Sequence, residues 1–540
     1  MKKVLFFTMI FVVQLCFSQE DAWIYFKDKP NVQAFWDNPL TVLSQRALDR
    51  RNTQGIALDA TDAPVHQAYI DLVKNSSGIT VLAQSKWMNY VHVRGLQQDI
   101  ANLLKLNCVQ KVVYANHALN VANRTAFETN RVSKVVLEDK TKVAKVNFDY
   151  GNSATQVQML NGHVLHQQNY TGAGKIIAVF DAGFPGVDTA LPFKRLRDNN
   201  LILGGYDYVN NSSSFYTGNS HGTKVLSTMG GYATNLVGTA PDASYYLFIT
   251  EDANNEEPLE LSNWVEAAEE ADRLGVDVIN SSLGYFGFDN PNYSYTYAMM
   301  NGQTSVASRA VDIAFAKGMI CVISAGNEGS TAEPHVGTPA DATNAVTVGS
   351  VTATRVKSGF SSIGPTADNR IKPDLMAMGS AAVVSSTTGT ITTANGTSFS
   401  GPIMAGAITA LWSGVPNKKN SEIVHIVKAS ADKFATPNND YGYGIPDMNA
   451  ALHTALSTNQ FEIFKANVFP NPVNSHLFIQ MEDEVEKGLL VVYNALGQKV
   501  FADLIQGHPV SVNVEAWNSG VYFYTLQIQN RNLQGKFIKN

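Results

Sequence analysis

The sequence predicts a three-layer α/β domain with a mainly parallel sheet, preceded by a small α+β unit and followed by a small all-β sandwich. Three observations carry this. The 540 residues exceed what one ordinary core accommodates. From about residue 155 to 457, short apolar runs alternate with helical segments, which is the order of βαβ units. After residue 460 the chain changes to strand-like runs separated by Asn/Gly/Pro turns.

Each segment has its own warrant. Lys2 and Lys3 precede an apolar stretch, Val4–Phe17, and small Ser18 follows, so residues 1–18 read as an export signal. The stretch is short for a membrane span. Lipidation at Cys16 is disfavoured by the bulky Leu15 before it. Residues 19–117 mix strands (Ala22–Phe26, Asn89–Gly95, Cys108–Ala115) with helices (Leu43–Asn52, Pro64–Asn75, Leu96–Asn107). Residues 118–154 are polar with few structure signals and read as an exposed linker, the usual place for proteolytic nicking.

In 155–457, buried-strand candidates are Lys175–Phe180, Ser244–Ile249, Val276–Ser282, Met319–Ala325 and Asn344–Val351. Leu261–Gly275 and Ser305–Gly318 are helices between them. In such sheets active sites gather at the carboxyl ends of the strands. In 460–540, Val468–Gln480, Gly488–Val500 and Gly520–Asn530 contain the strands of a sandwich.

Composition removes several function classes. Hydrophobic content is 45% and charged content 16%, which fits globular domains with Ser/Thr/Asn/Gly-rich surfaces. The net charge of −6 and the lack of a basic stripe argue against nucleic acid as a partner. Of the three cysteines, only Cys108 and Cys321 would survive export, far apart, so no disulfide framework is expected. Cys321 reads as a core residue, and no Cys/His cluster has zinc spacing.

Four motifs sit at element ends. In "AVFDAGF" an apolar strand ends at Asp181, where a carboxylate can orient a histidine. In "NSHGTKVLSTMGG" His221 opens a helix of small residues. In "NGTSFSGPIMAG" Ser398 stands at the start of a helix running to about Trp412, with Pro402 placed in the tolerant first turn. The unpaired N–H groups there favour developing negative charge. In "ISAGNEG" Asn327 follows a buried strand and could donate its amide to an oxyanion. Serine needs a base to become a nucleophile, histidine titrates near neutrality, and aspartate fixes the imidazole tautomer. The order Asp–His–Ser is one of the known orders of a catalytic triad.

These residues carry a resemblance. The chain from 155 to 457 resembles the subtilisin-like serine peptidases in "FDAGF", "SHGTKV", "VGTAPDA", "NSSLG", "SAGN" and "GTSFSGP", six motifs in order. The resemblance implies a serine endopeptidase with catalytic Asp181, His221 and Ser398, an oxyanion donor in Asn327, and two backbone edges, Ser282–Leu283–Gly284 and Ser324–Ala325–Gly326, that hold peptide as an added strand. It implies protein or peptide substrates and no cofactor for the chemistry. Family members often bind structural Ca²⁺, but no acidic loop here has clear ligand spacing. Two positions depart from the pattern: Ala182 stands where Ser or Thr usually follows the aspartate, and Lys224 where His is frequent. The Tyr/Asn-rich stretch Gly284–Gly302 lies beside the expected substrate edge.

Residues 19–117 resemble a subtilase propeptide, which implies a zymogen inhibited by its own N-terminal unit and matured by a cut in the linker. Residues 460–540 resemble the sorting domains of the type IX secretion system of Bacteroidota in "VFPNPVNSHLFI", "VYNALGQKV", "GVYFYTLQ" and "GKFIK". That implies engagement of the secretion machinery and release, or display at the surface, through periplasm and outer membrane. A monomer is the expected state. Two rival readings are a catalytically silent surface-displayed binding protein on the same fold and an esterase using the same triad.

Overall fold

The computed structural model describes residues 19–120, 147–457, 466–481, 485–495, 498–507, 510–528 and 531–540. The expected export signal and most of the expected linker lie outside these residues. The chain divides into two compact units, one ending at Leu456 and one starting at Ser457.

The first unit is built on a seven-stranded sheet. Its strand order is Leu375–Met378, Val346–Val351, Ile320–Ser324, Val278–Ser281, Ile176–Asp181, Ser244–Ile249, Ile202–Asp207. Every neighbouring pair is parallel. Parallel strands need crossovers, and the crossover helices cover both faces, so the strands read as continuous apolar runs. Alternate residues serve opposite cores. Ile177 and Val179 join one core with Val278, Ile320 and Val322. Ile176, Ala178 and Phe180 join the other with Ile279, Cys321 and Ile323.

The helices His221–Gly230 and Thr397–Gly414 pack in the first of these cores. Leu259–Leu274 and Val306–Ala316 pack in the second. Five expected strands and two expected helices are present to within a few residues. Ile202–Asp207 and Leu375–Met378, at the two ends of the sheet, were not among the expected strands. Cys108 and Cys321 are both buried and free. Among the described residues no helix is long and apolar enough to cross a membrane.

The N-terminal unit is a four-stranded antiparallel sheet with helices, in the order Ile79–Ser85, Tyr90–Leu96, Gln19–Phe26, Val109–Tyr114. Ile79–Ser85 was not expected. This sheet lies on the helix Leu259–Leu274, and Trp23, Tyr25, Trp87 and Tyr90 enter the second core. One carboxylate organises the contact. Glu269 accepts hydrogen bonds from Ser85 Oγ (2.6 Å), Lys86 N (3.0 Å) and Trp87 N (2.9 Å), three donors of one turn. Trp23 Nε1 donates to Ser262 Oγ at 2.9 Å on the same helix.

A buried ion cluster fixes the helix Gln45–Gln54 against the far end of Leu259–Leu274. Asp272 is fully buried and receives both Arg50 and Arg51, the latter at 2.8 Å. Arg51 also pairs with buried Asp62 at 2.8 Å, and Asp62 with Lys317 at 3.0 Å. The two arginines hold the Asp272 carboxyl below its ordinary range against the opposing effect of burial.

The second unit contains two antiparallel sheets, Ala466–Phe469/His476–Met481/Val510–Asn513 and Lys499–Gly507/Val485–Asn494/Gly520–Ile528/Arg531–Lys539. Leu477, Ile479, Val492, Tyr522, Tyr524 and Phe537 fill the space between them, which makes the expected sandwich.

Breaking a buried ion cluster on one side is costly because it leaves uncompensated charge. We expect Asp272→Asn to destabilise the unprocessed chain by about 3 kcal/mol. Urea denaturation followed by tryptophan fluorescence reads this.

Candidate active site

Asp181 ends the strand Ile176–Asp181 and has no solvent exposure. Its Oδ1 accepts from His221 Nδ1 at 2.8 Å and from Ala182 N at 2.8 Å. Oδ2 finds no protein donor. Position 182, where the family pattern has a hydroxyl, offers only a methyl group.

His221 opens its helix, with its backbone N–H donated to Asn219 Oδ1 at 3.0 Å. The next residue explains how the ring reaches the strand. A Cβ at Gly222 would meet Gly183 O at 2.4 Å and Asp181 Cβ at 2.8 Å, so only glycine lets the helix start this close. The charge of Asp181 raises the His221 pKa above its usual value. Burial and the ammonium of Lys224 oppose the rise, and Glu251 adds to it. Lys224, the departure noted above, thus acts on the ring through its charge.

Ser398 is the second residue of the helix Thr397–Gly414 and is 9% exposed. Gly396 precedes the helix at φ +148°, a conformation that favours glycine. The helix continues through Pro402, which lies past the first turn rather than inside it as the sequence suggested. A proline there cannot donate to the carbonyl four residues back, which is that of Ser398. Ser282 Oγ supplies the missing donor, at 3.0 Å to Ser398 O. Ser324 Oγ likewise donates to Thr397 O at 2.9 Å. The Ser398 hydroxyl itself donates to Ser282 O at 3.4 Å.

Asn327 follows the strand Ile320–Ser324. Its Oδ1 accepts from Thr397 N at 2.9 Å and Thr397 Oγ1 at 3.2 Å. With the carbonyl end held this way, the amide orientation is determined and Nδ2 is the free end. Thr397 lies in the same Gly-Thr-Ser turn as Ser398, but its bond to Asn327 is not legible in the sequence. Its contacts with Asn327 span 70 residues, which local pattern does not reveal.

These groups surround one cleft of about 410 Å³. His221, Ser398, Asn327 and all six expected edge residues, Ser282, Leu283, Gly284, Ser324, Ala325 and Gly326, line it. Asp181 sits behind His221. One wall comes from the loop after the strand Ser244–Ile249, through Glu251, Ala253 and Glu256. Burial raises the Glu251 carboxyl to about 8 and that of Glu260 to about 10. Sequence reading did not single out these glutamates.

Comparison with known proteins matches residues 161–444 to the subtilase family of S8 peptidases, just over half of the chain. The chain belongs to the subtilase family. Residues 21–132 match the S8 propeptide domain of Bacteroidota, and residues 467–540 a secretion system C-terminal sorting domain. Subtilisin DY of Bacillus licheniformis is 28% identical over 298 residues, covering 55% of this chain and 97% of its own. Thermitase of Thermoactinomyces vulgaris is 30% identical over 268 residues, covering 49% and 83%. A crystal structure of MycP1 with the N-terminal propeptide removed superposes with a TM-score of 0.44 at 22% identity, covering 55% and 96%.

This subtilase is therefore a serine endopeptidase, made as a zymogen with its own propeptide. The sorting domain makes it an exported protein, secreted or held at the cell surface. Subtilases need no cofactor for catalysis.

Gly222→Ala tests the close approach. The added methyl pushes the helix off Asp181, so the His221 pKa returns toward 6.5, read by NMR titration of the ring. Overpacking of this kind costs about 1–3 kcal/mol of stability in a thermal or urea melt.

Proposed function

We propose that this subtilase hydrolyses peptide bonds in proteins through an acyl-enzyme formed on Ser398. The observation that carries the reading is the 2.8 Å bond between fully buried Asp181 and His221 Nδ1, in a cleft that Ser398 and Asn327 share. With Nδ1–H committed to Asp181, the other ring nitrogen is the one available to a substrate-side hydroxyl.

The steps follow from these groups. Substrate lies between Ser282–Gly284 and Ser324–Gly326 as an added strand. The Ser398 hydroxyl turns from the Ser282 carbonyl to His221, which accepts its proton as Oγ attacks the scissile carbonyl. Asp181 stabilises the imidazolium. The developing oxyanion takes hydrogen bonds from Asn327 Nδ2 and the Ser398 N–H, at the positive end of a long helix. His221 then passes its proton to the leaving amine, and water repeats the sequence on the acyl-enzyme. The expected boundaries support a mature domain of 155–457, freed by a cut within 118–154. Type IX export would carry it across the periplasm and outer membrane of a Bacteroidota-type cell.

Intact mass and N-terminal sequencing of the purified chain, beside Ser398→Ala, test the assignment. The parent loses its N-terminal unit and hydrolyses added peptides; Ser398→Ala keeps the unit and does neither. A processed, active Ser398→Ala chain would remove Ser398 from the mechanism. A parent that folds but never turns over peptide would favour the silent binding protein, and one that cleaves only simple esters the esterase.

The pH dependence has a definite sign. The reaction needs neutral His221, and Asp181 favours the protonated ring, so activity falls as pH drops through a pKa above 6.5. In Asp181→Asn the acid limb of the kcat/KM profile moves to lower pH, and kcat falls by about 10⁴.

A further inference from the structure

The last part of the expected linker is not free of the peptidase. Residues 148–158 form a loop and two short helical turns, Gly151–Ser153 and Ala154–Gln158. The propeptide match stops at residue 132 and the subtilase match begins at residue 161, so neither assigns this stretch. Its side chains bond to residues of the peptidase.

Tyr150 is 8% exposed, and its hydroxyl lies 2.7 Å from His166 Nδ1. His166 is fully buried, and its Nε2 lies 3.0 Å from the carbonyl of Thr239. A carbonyl only accepts, so Nε2 carries the proton and Nδ1 accepts from the Tyr150 hydroxyl. Burial lowers the His166 pKa to about 4, which keeps the ring in that neutral form. Thr239 touches both helices of the active site. Its N–H donates at 3.0 Å to Thr228 O, in the helix that bears His221. Its hydroxyl occupies the space that a Cβ at Gly406 would need, in the helix that bears Ser398.

The neighbouring residues are held as firmly. The Phe148 ring meets those of His166 and Tyr232 edge-on, at 5.4 and 5.6 Å between centroids, with Arg195 above it at 5.9 Å. Gly151 lies on the hairpin Tyr232–Val237 so closely that a Cβ there would overlap the Asn235 backbone. Ser153 is fully buried and its Oγ accepts from Val237 N at 2.9 Å. Gln156 bonds Val383 in both directions, Nε2 to its carbonyl at 3.2 Å and Oε1 from its N–H at 2.7 Å.

We infer that maturation leaves Phe148 and all that follows it on the peptidase, where residues 148–158 act as a clasp on the two helices bearing His221 and Ser398. This rests on the reading that a cut separates propeptide from peptidase, but not on which protease makes the cut. It moves the start of the mature domain from the expected residue 155 to a point before Phe148. A protease takes its substrate as an extended strand, so a cut inside this stretch needs the turns to open first. Cleavage then follows the population of the opened form. It would also leave new charged ends beside buried Tyr150 and Ser153.

The full chain with Ser398→Ala is digested briefly with thermolysin, and the peptidase fragment is sequenced from its N-terminus. The expected fragment still contains Phe148. In the same chain with Tyr150→Phe, His166 Nδ1 loses its donor, and cuts within 148–158 appear about tenfold faster. Cuts within the propeptide keep their rate, which separates local opening from general unfolding. If Tyr150→Phe does not fold, Phe148→Leu is read in the same way. A folded parent fragment that begins after Phe148 would overturn the clasp, as would digestion of the variant at the parent's rate. The unmutated chain is sequenced beside these, and a mature product that begins after Phe148 would also overturn it. An unmutated chain that never processes itself would count against self-maturation, while the digest still decides the clasp.

Discussion

Asp181 is a carboxylate with no solvent exposure, and the active-site end of the sheet is arranged around that fact. Burying an isolated charge costs several kcal/mol unless donors replace the lost hydration. Here one oxygen takes both donors, the ring of His221 and the Ala182 N–H, while the other takes none from the protein. The imidazole and one backbone N–H therefore share the compensation. The elevated pKa of His221 is the same interaction seen from the other side. It also explains the small residues around it: Gly183 and Gly222 are where strand end and helix start must nearly touch.

A second dependence runs through serine hydroxyls rather than charge. The start of the helix bearing Ser398 is tied to both expected substrate edges, by Ser282 Oγ to Ser398 O and by Ser324 Oγ to Thr397 O. Thr397 also holds Asn327. Ser398, Asn327 and the two expected edges come from two strand-to-loop junctions and one helix. They share a framework of short polar bonds under 3.5 Å, so none can shift alone. Preorganisation of this kind makes an oxyanion site effective, because donors need not reorient during the reaction.

Much of this was legible in the sequence, for identifiable reasons. Strands buried on both faces, such as Ile176–Asp181 and Ile320–Ser324, announce themselves as unbroken apolar runs. Ile202–Asp207 did not, because two adjacent glycines interrupt its apolar character. Leu375–Met378 is only four residues long. Asp181, His221, Ser398 and Asn327 could be singled out as candidates because the proposed chemistry demands particular residue types at element ends. The supporting bonds could not. Ser282 and Ser398 are 116 positions apart, and nothing local to either announces the other. Glu251 and Glu256, which wall the cleft, were silent for a similar reason: what brings them there is the path of the chain, not a pattern local to either.

Pro402 and Ser282 carry one further consequence. The proline leaves a helix carbonyl without its usual donor, and a hydroxyl from the substrate edge fills the gap. The two positions therefore act as one structural unit. A lineage that replaced the proline with an ordinary helix former would restore the backbone bond and release position 282 to drift. One that lost the hydroxyl first would be under pressure to lose the proline next. The order of such changes is constrained, and with it the routes by which the groove beside Ser398 can acquire a new shape.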